Sequence, residues 1–129
     1  MTRKMVLRII SDEYAREMRL SLVEALQAIL QDVQDEGYVP LRGADEGEIL
    51  AVLEPRIFGA DGLLRGSTLF LSLTGNRFCM YANKFPEVIC VADGPMALDE
   101  AEELAANMVE VSMDRDLSEM VRIAVRFTS

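Results

Sequence analysis

The segment from Ser72 to Pro86, Ser-Leu-Thr-Gly-Asn-Arg-Phe-Cys-Met-Tyr-Ala-Asn-Lys-Phe-Pro, concentrates the residue types that could do chemistry. It continues the apolar run Ser67–Ser72, which reads as a buried strand. A strand, a polar turn at Thr74-Gly75-Asn76 and a helix place turn amides where they can hold an anion or an oxyanion. The same pattern also describes a plain tight β–α turn. Cys79 lies one turn into the following helix, where a thiol acts as base or nucleophile if its pKa is tuned, or simply packs as a small hydrophobe. Ser72 can hydrogen-bond a ligand, but a hydroxyl without a neighbouring His or Lys is not basic at neutral pH. Arg77, at the turn–helix junction, either binds a carboxylate or phosphate or fills the site itself.

Further candidates sit where other strands should end. Asp12 follows the first strand and reads equally as a ligand group or as a helix N-cap. Glu13 beside it is a candidate base if burial raises its pKa, or a first-turn carboxylate favoured by the helix dipole. Asp93 ends the fourth strand in the same manner. The chain has no histidine, which removes the commonest general base and metal ligand together. Two cysteines, Cys79 and Cys90, show no metal-ligand spacing, and no G-x-G-x-x-G fingerprint is present.

These residues need a scaffold, and the 129-residue length fits one domain spanning 1–129. The expected elements begin with a strand over Met5–Ile10 and a long helix from Glu13 to Glu36, closed by Gly37. An edge strand is expected at Tyr38–Leu41, and a second helix at Glu48–Phe58, bent or ended by Pro55. Strand three is Ser67–Ser72, followed by a short helix over Arg77–Lys84. A strand at Val88–Ala92, a helix at Ala97–Met108, a strand at Val109–Val111 and a helix at Leu117–Phe127 complete the chain. Such alternation predicts an α/β fold, a five-stranded parallel sheet with helices on both faces.

A net charge of −9 argues against nucleic acid or an anionic membrane as partner. The basic, then apolar N-terminus is too short for a signal or a membrane span. Two cysteines do not make a disulfide framework, so reduced thiols in the cytoplasm are expected. Arg122 and Arg126 supply a basic pair on the last helix, by default a solvated face. The acidic run Asp99–Glu103 suits the start of its helix.

In this order, the residues resemble the type B ribose-5-phosphate isomerases and the galactose-6-phosphate isomerase subunits. That family opens with a strand and Ser-Asp-His, where Ile10-Ser11-Asp12-Glu13 stands here. It carries a Cys-Gly-Thr-Gly-type turn and a helix ending Ala-Asn-Lys-x-Pro, matched by Thr74-Gly75 and Ala82-Asn83-Lys84-Phe85-Pro86. Asp93, Ala97, Glu102, Ala106 and Asn107 fall in register with its later motifs.

The resemblance implies a doubly wound, flavodoxin-like three-layer sandwich. It also implies a dimer, or a hetero-oligomer with a related subunit, whose sites lie between subunits. The activity implied is cofactor-free aldose–ketose isomerisation of a small sugar phosphate through an enediolate. Asp12, Thr74, Gly75, Asn76, Arg77, Asp93 and Asn107 then contact substrate, with Glu13, Ser72 and Cys79 as catalytic candidates. A partner subunit or a small-molecule sensor without chemistry is the alternative, because the departures are large. Ser72 replaces the family's cysteine, and Phe78 stands where some members place a glutamate base. Glu13 replaces the first histidine, and Ala101-Glu102-Glu103-Leu104 replaces Arg-Glu-His-Asn. The first helix reads about two turns longer than usual. The basic tail that binds phosphate in the family is not found before Ser129.

Overall fold

A computed structural model of the chain describes residues 6–129. Five strands, β1 (Leu7–Ser11), β2 (Val33–Tyr38), β3 (Ser67–Ser72), β4 (Cys90–Val91) and β5 (Met108–Ser112), alternate with five helices. The helices are α1 (Arg16–Gln27), α2 (Glu46–Ile57), α3 (Cys79–Ala82), α4 (Ala97–Glu103) and α5 (Leu117–Thr128). The strands form one parallel sheet in the order β2-β1-β3-β5-β4. This is the expected doubly wound α/β fold. The last two strands are exchanged relative to a plain 2-1-3-4-5 order, so the two-residue β4 takes the edge.

Side-chain alternation along the strands builds two cores. Leu7, Ile9, Leu69, Leu71, Val109 and Val111 face α1, α4 and α5, where Leu22, Leu26, Ala101, Met120 and Ala124 meet them. Ile10, Phe70 and Met108 face α2 and α3, where Ile49, Leu53, Ile57 and Phe78 close the other layer. The chain leaves β1 toward one face and β3 toward the other. That divergence opens the crevice at their carboxyl ends, where ligands of such sheets bind.

The first third corrects the expected boundaries. The helix expected from Glu13 to Glu36 stops at Gln27, and Val33–Tyr38 is a strand instead. The expected edge strand at Tyr38–Leu41 therefore lies five residues earlier, and α1 is not unusually long. In Val-Gln-Asp-Glu-Gly-Tyr only Val33 is buried, so hydrophobic periodicity carries no strand signal. The partners lie elsewhere in sequence. The buried Arg8 side chain bonds Gln34 and pairs with Glu36, and the buried Arg19 pairs with Asp35. Gly37, expected as a helix C′ residue, has φ +80° where the β1–β2 register shifts, consistent with a bulge.

Later boundaries moved less. The α2 helix begins at an Asp45 cap, whose Oδ1 accepts the Glu48 N–H at 2.8 Å. It continues past Pro55 to Ile57. The expected helix to Met108 ends at Glu103, because Ala105 turns to φ +53° and the chain enters β5 at Met108. The strand expected from Met5 begins at Leu7, and residues 1–5 lie outside the described part. No helix among the described residues is long and apolar enough to cross a membrane.

Candidate functional site at the strand ends

The carboxyl ends of β1, β3 and β5 gather most of the candidate residues. Asp12 is fully buried one residue beyond β1. Its Oδ1 accepts the Tyr14 and Ala15 N–H groups at 3.0 and 2.9 Å. Its Oδ2 accepts Leu73 N–H at 2.9 Å and Arg77 Nη1 at 2.5 Å. One carboxylate therefore closes the turn entering α1 and also ties it to the turn after β3. The N-cap of α1 is Ala15, which has no side-chain cap, so the N-cap reading of Asp12 gives way to a turn closed just ahead of the helix.

Arg77 also lies 2.8 Å from Glu13 Oε1 and stacks over Tyr14, with its guanidinium carbon 5.1 Å from the ring centroid. Only its Nη1 is engaged among the described residues, leaving Nε and Nη2 as further donors. Glu13 Oε2 accepts the Leu41 N–H at 2.5 Å. Its buried Oε1 has the guanidinium close by but off-axis, so it lacks an aligned hydrogen bond. Burial pushes the Glu13 carboxyl up, but the Leu41 N–H and the Arg77 charge outweigh it and hold the group below its ordinary value. Glu13 is therefore an ionised carboxylate at neutral pH. A base tuned upward by desolvation is not what the surroundings produce.

Ser72 closes β3 and is fully buried. Its hydroxyl donates to Glu110 Oε2 at 2.5 Å and accepts the Gly75 N–H at 2.9 Å. Glu110, buried in the middle of β5, also accepts the Phe78 and Cys79 N–H groups at 3.0 and 2.9 Å through Oε1. An internal carboxylate thus takes the first amides of α3, while Phe78 stacks on Phe70 at 4.6 Å. These contacts explain how a helix of only four residues is held in place. Burial raises the Glu110 carboxyl, and the Ser72, Phe78 and Cys79 hydrogen bonds offset only part of that rise.

Gly75 adopts φ +82°, and a Cβ there would stand 2.6 Å from Asp93 Cβ. Only glycine lets the turn approach Asp93 this closely. Asp93 N–H donates to Gly75 O at 3.0 Å, while the Asp93 carboxylate accepts Ser112 N–H at 2.6 Å and is clamped by Arg115 through Nε and Nη2. Burial would raise this carboxyl, but the Arg115 and Ser112 bonds bring it below the ordinary value. Thr74 and Asn76 are exposed at the rim and bond each other at 2.6 Å. A cavity of about 130 Å³ opens beside Asp93, lined by Gly94, Leu98, Val111, Arg115 and Ile123 among others.

Two candidates lie apart from this edge. Asn107 precedes β5 at the opposite, amino-terminal edge of the sheet, where its amide bonds Glu87 O and Ile89 N–H. Cys79 is buried with its sulfur 2.9 Å from that of Cys90, and this contact, burial and the nearby Glu110 all push its thiol up. Arg126 pairs with Asp99 and Glu102 at the surface, and with Asp99 it lines the cavity beside Asp93. Sequence reasoning missed Glu110, Arg115 and Leu41. Only Glu110 left a legible signal, a lone charge inside Met-Val-Glu-Val-Ser that must find partners if the strand is buried.

No protein-family model matches the chain, and no curated protein matches its sequence. Solved structures do match. Ribose-5-phosphate isomerase B from Giardia lamblia superposes with a TM-score of 0.73 at 19% identity, covering 97% of this chain and 94% of that one. The Mycoplasma genitalium enzyme with bound ribulose-5-phosphate gives 0.71 at 20% identity, covering 98% and 84%. The Anaplasma phagocytophilum enzyme gives 0.71 at 16%, covering 100% and 89%. The chain has the fold of the type B ribose-5-phosphate isomerases, as the Thr74–Pro86 motif led one to expect. At these identities the likeness extends to the fold alone.

Proposed function

We propose that the chain takes a small sugar phosphate, or a related polyhydroxy carbonyl compound, at the carboxyl ends of β1 and β3 and interconverts aldose and ketose through an enediolate. The observation that carries this reading is the Asp12–Arg77–Glu13 cluster. A fully buried anchor holds a cation that has two donors to spare, beside a carboxylate oxygen lacking an aligned hydrogen bond. A ligand anion or hydroxyl recruits Arg77 through Nε and Nη2. As the guanidinium turns to it, the Glu13 carboxylate loses its counter-charge, regains basicity and moves a proton between adjacent carbons. The Thr74–Gly75 turn contributes rim contacts. The fold suits work in the cytoplasm, as a homodimer or beside a related subunit.

A second reading, a binding subunit or sensor without turnover, is favoured by one observation. Ser72 stands where the family places its cysteine, and its hydroxyl is committed to Glu110 and Gly75. Solvent deuterium incorporation, read by NMR across a panel of sugar phosphates and free sugars, separates the two. Exchange next to the carbonyl, lost in Glu13→Gln, supports the isomerase. Saturable binding with no exchange selects the binding subunit, and neither binding nor exchange removes both.

A further inference from the structure

We propose that Cys79 and Cys90 form a reversible thiol–disulfide site, which takes a low-molecular-weight disulfide as oxidant and closes an intrachain bond between α3 and β4. The two sulfurs lie 2.9 Å apart, and both residues are buried. The pairing is imposed from outside the thiols. Cys79 is fixed at the start of α3 by its N–H bond to Glu110. Cys90 is fixed at the start of β4 by the Asn83 amide, which bonds both its N–H and its carbonyl oxygen, at 2.8 and 3.0 Å. Asn83 caps α3, so one side chain locks the helix end to the strand. A covalent bond then requires the sulfurs to close by less than about 1 Å, to the usual 2.03–2.05 Å.

Cys79, Cys90 and Glu110 offer donor atoms within 4.8 Å of one another. The trio is also a donor set for a thiophilic cation. Here, however, Ser72, Phe78 and Cys79 already occupy the carboxylate oxygens through their own O–H and N–H groups, whereas the sulfurs meet each other at 2.9 Å.

The exchange balances as follows. One thiol gives its proton to solvent, and the thiolate attacks a sulfur of the small disulfide, expelling one small thiolate. The second cysteine, deprotonated in turn, attacks the protein sulfur of that mixed disulfide and expels the other small thiolate. Both leaving thiolates take up the released protons. The oxidant gains two electrons and the cysteine pair loses them. Because both burial and proximity hold the Cys79 thiol protonated, the rate should rise roughly tenfold per pH unit below the thiol pKa.

The test incubates the folded, reduced chain with oxidised glutathione, followed by acid quench, intact mass and thiol counting under denaturing conditions. The expected result is the joint loss of both thiols, a mass lower by two hydrogens, a monomeric band on a non-reducing gel, and full reversal by dithiothreitol. Cys79→Ser and Cys90→Ser should each stop at a single glutathione adduct or stay unmodified. The proposal is overturned if the folded wild-type chain keeps both thiols where the denatured chain oxidises. A persistent glutathione adduct or a disulfide between chains would overturn it equally. The wild-type readouts suffice if a serine variant fails to fold.

Discussion

Arg77 Nη1 lies 2.5 Å from Asp12 Oδ2 across 65 residues of sequence, joining the turn after β1 to the turn after β3. Asp12 is fully buried, and Arg77 remains one-fifth exposed. The pair thus has an inner anchor and an outer, solvent-facing cation, a polarity that suits a ligand-binding edge.

Asp12→Ala should be the most damaging change at this edge. It removes the acceptor for three backbone N–H groups and the partner of a half-buried guanidinium. Removing one partner of a buried, hydrogen-bonded pair costs about 3–5 kcal/mol. Urea unfolding should show a loss of that order, with Asp12→Asn losing less. A change below about 1 kcal/mol, the worth of one ordinary hydrogen bond, would contradict the anchoring role.

Arg77→Met should cost less stability than Asp12→Ala, because the buried carboxylate keeps its three N–H donors, and should act chiefly on ligand. The expected outcome is at least about tenfold weaker binding of the active sugar phosphate, the worth of one charge-assisted contact. Arg77→Lys should recover only part of it, because a lysine lacks the fork that spans Asp12 and an incoming anion. Calorimetric titration of the variants against that ligand checks both.

Gly75→Ala should destabilise by about 1–3 kcal/mol, since a left-handed residue gains a Cβ in an occupied space. The added carbon meets Asp93 Cβ at 2.6 Å and Ser112 N at 3.1 Å. The midpoint of thermal unfolding should fall, whereas Gly43→Ala, at φ +78° with nothing within 4 Å, isolates the backbone cost alone.

Stability should respond to pH through carboxyls shifted in opposite directions. Glu13 and Asp93 are held below their ordinary values, so their contribution is present above the unfolded pKa near 4 and is lost as pH falls through the folded value. Glu110 is held above its ordinary value, so its contribution is present below the unfolded pKa and declines as pH rises toward the folded one. Glu110→Gln, which keeps an acceptor for the α3 amides, should remove that decline above pH 4, whereas Glu110→Ala should cost stability at every pH. Urea midpoints from pH 3 to 8 decide it. An unchanged slope above pH 4 in Glu110→Gln would mean that Glu110 does not titrate there.

Ser67–Ser72 was legible because six buried residues in a row admit little besides a strand covered on both faces, and the structure gives it those same bounds. Val33–Tyr38 was not, because its single buried side chain gives no period. Its strand character comes from backbone pairing to β1 and from Arg8 and Arg19, which no local window contains. Among the site residues, Asp12, Glu13, Thr74, Gly75, Arg77 and Asp93 are all brought to one edge, whereas Asn107 lies at the other.

By itself the sequence determined the α/β alternation, the strand–turn–helix unit around Gly75 and the resemblance in fold, since these rest on local pattern and short motifs. Only the tertiary structure decided which charges meet. Glu110 reaches Ser72 from 38 residues away and Arg77 reaches Asp12 from 65, and such pairings follow from strand order and register. They set the protonation of every candidate base because desolvation and counter-charges act through space, over distances that the order of residues along a chain does not encode.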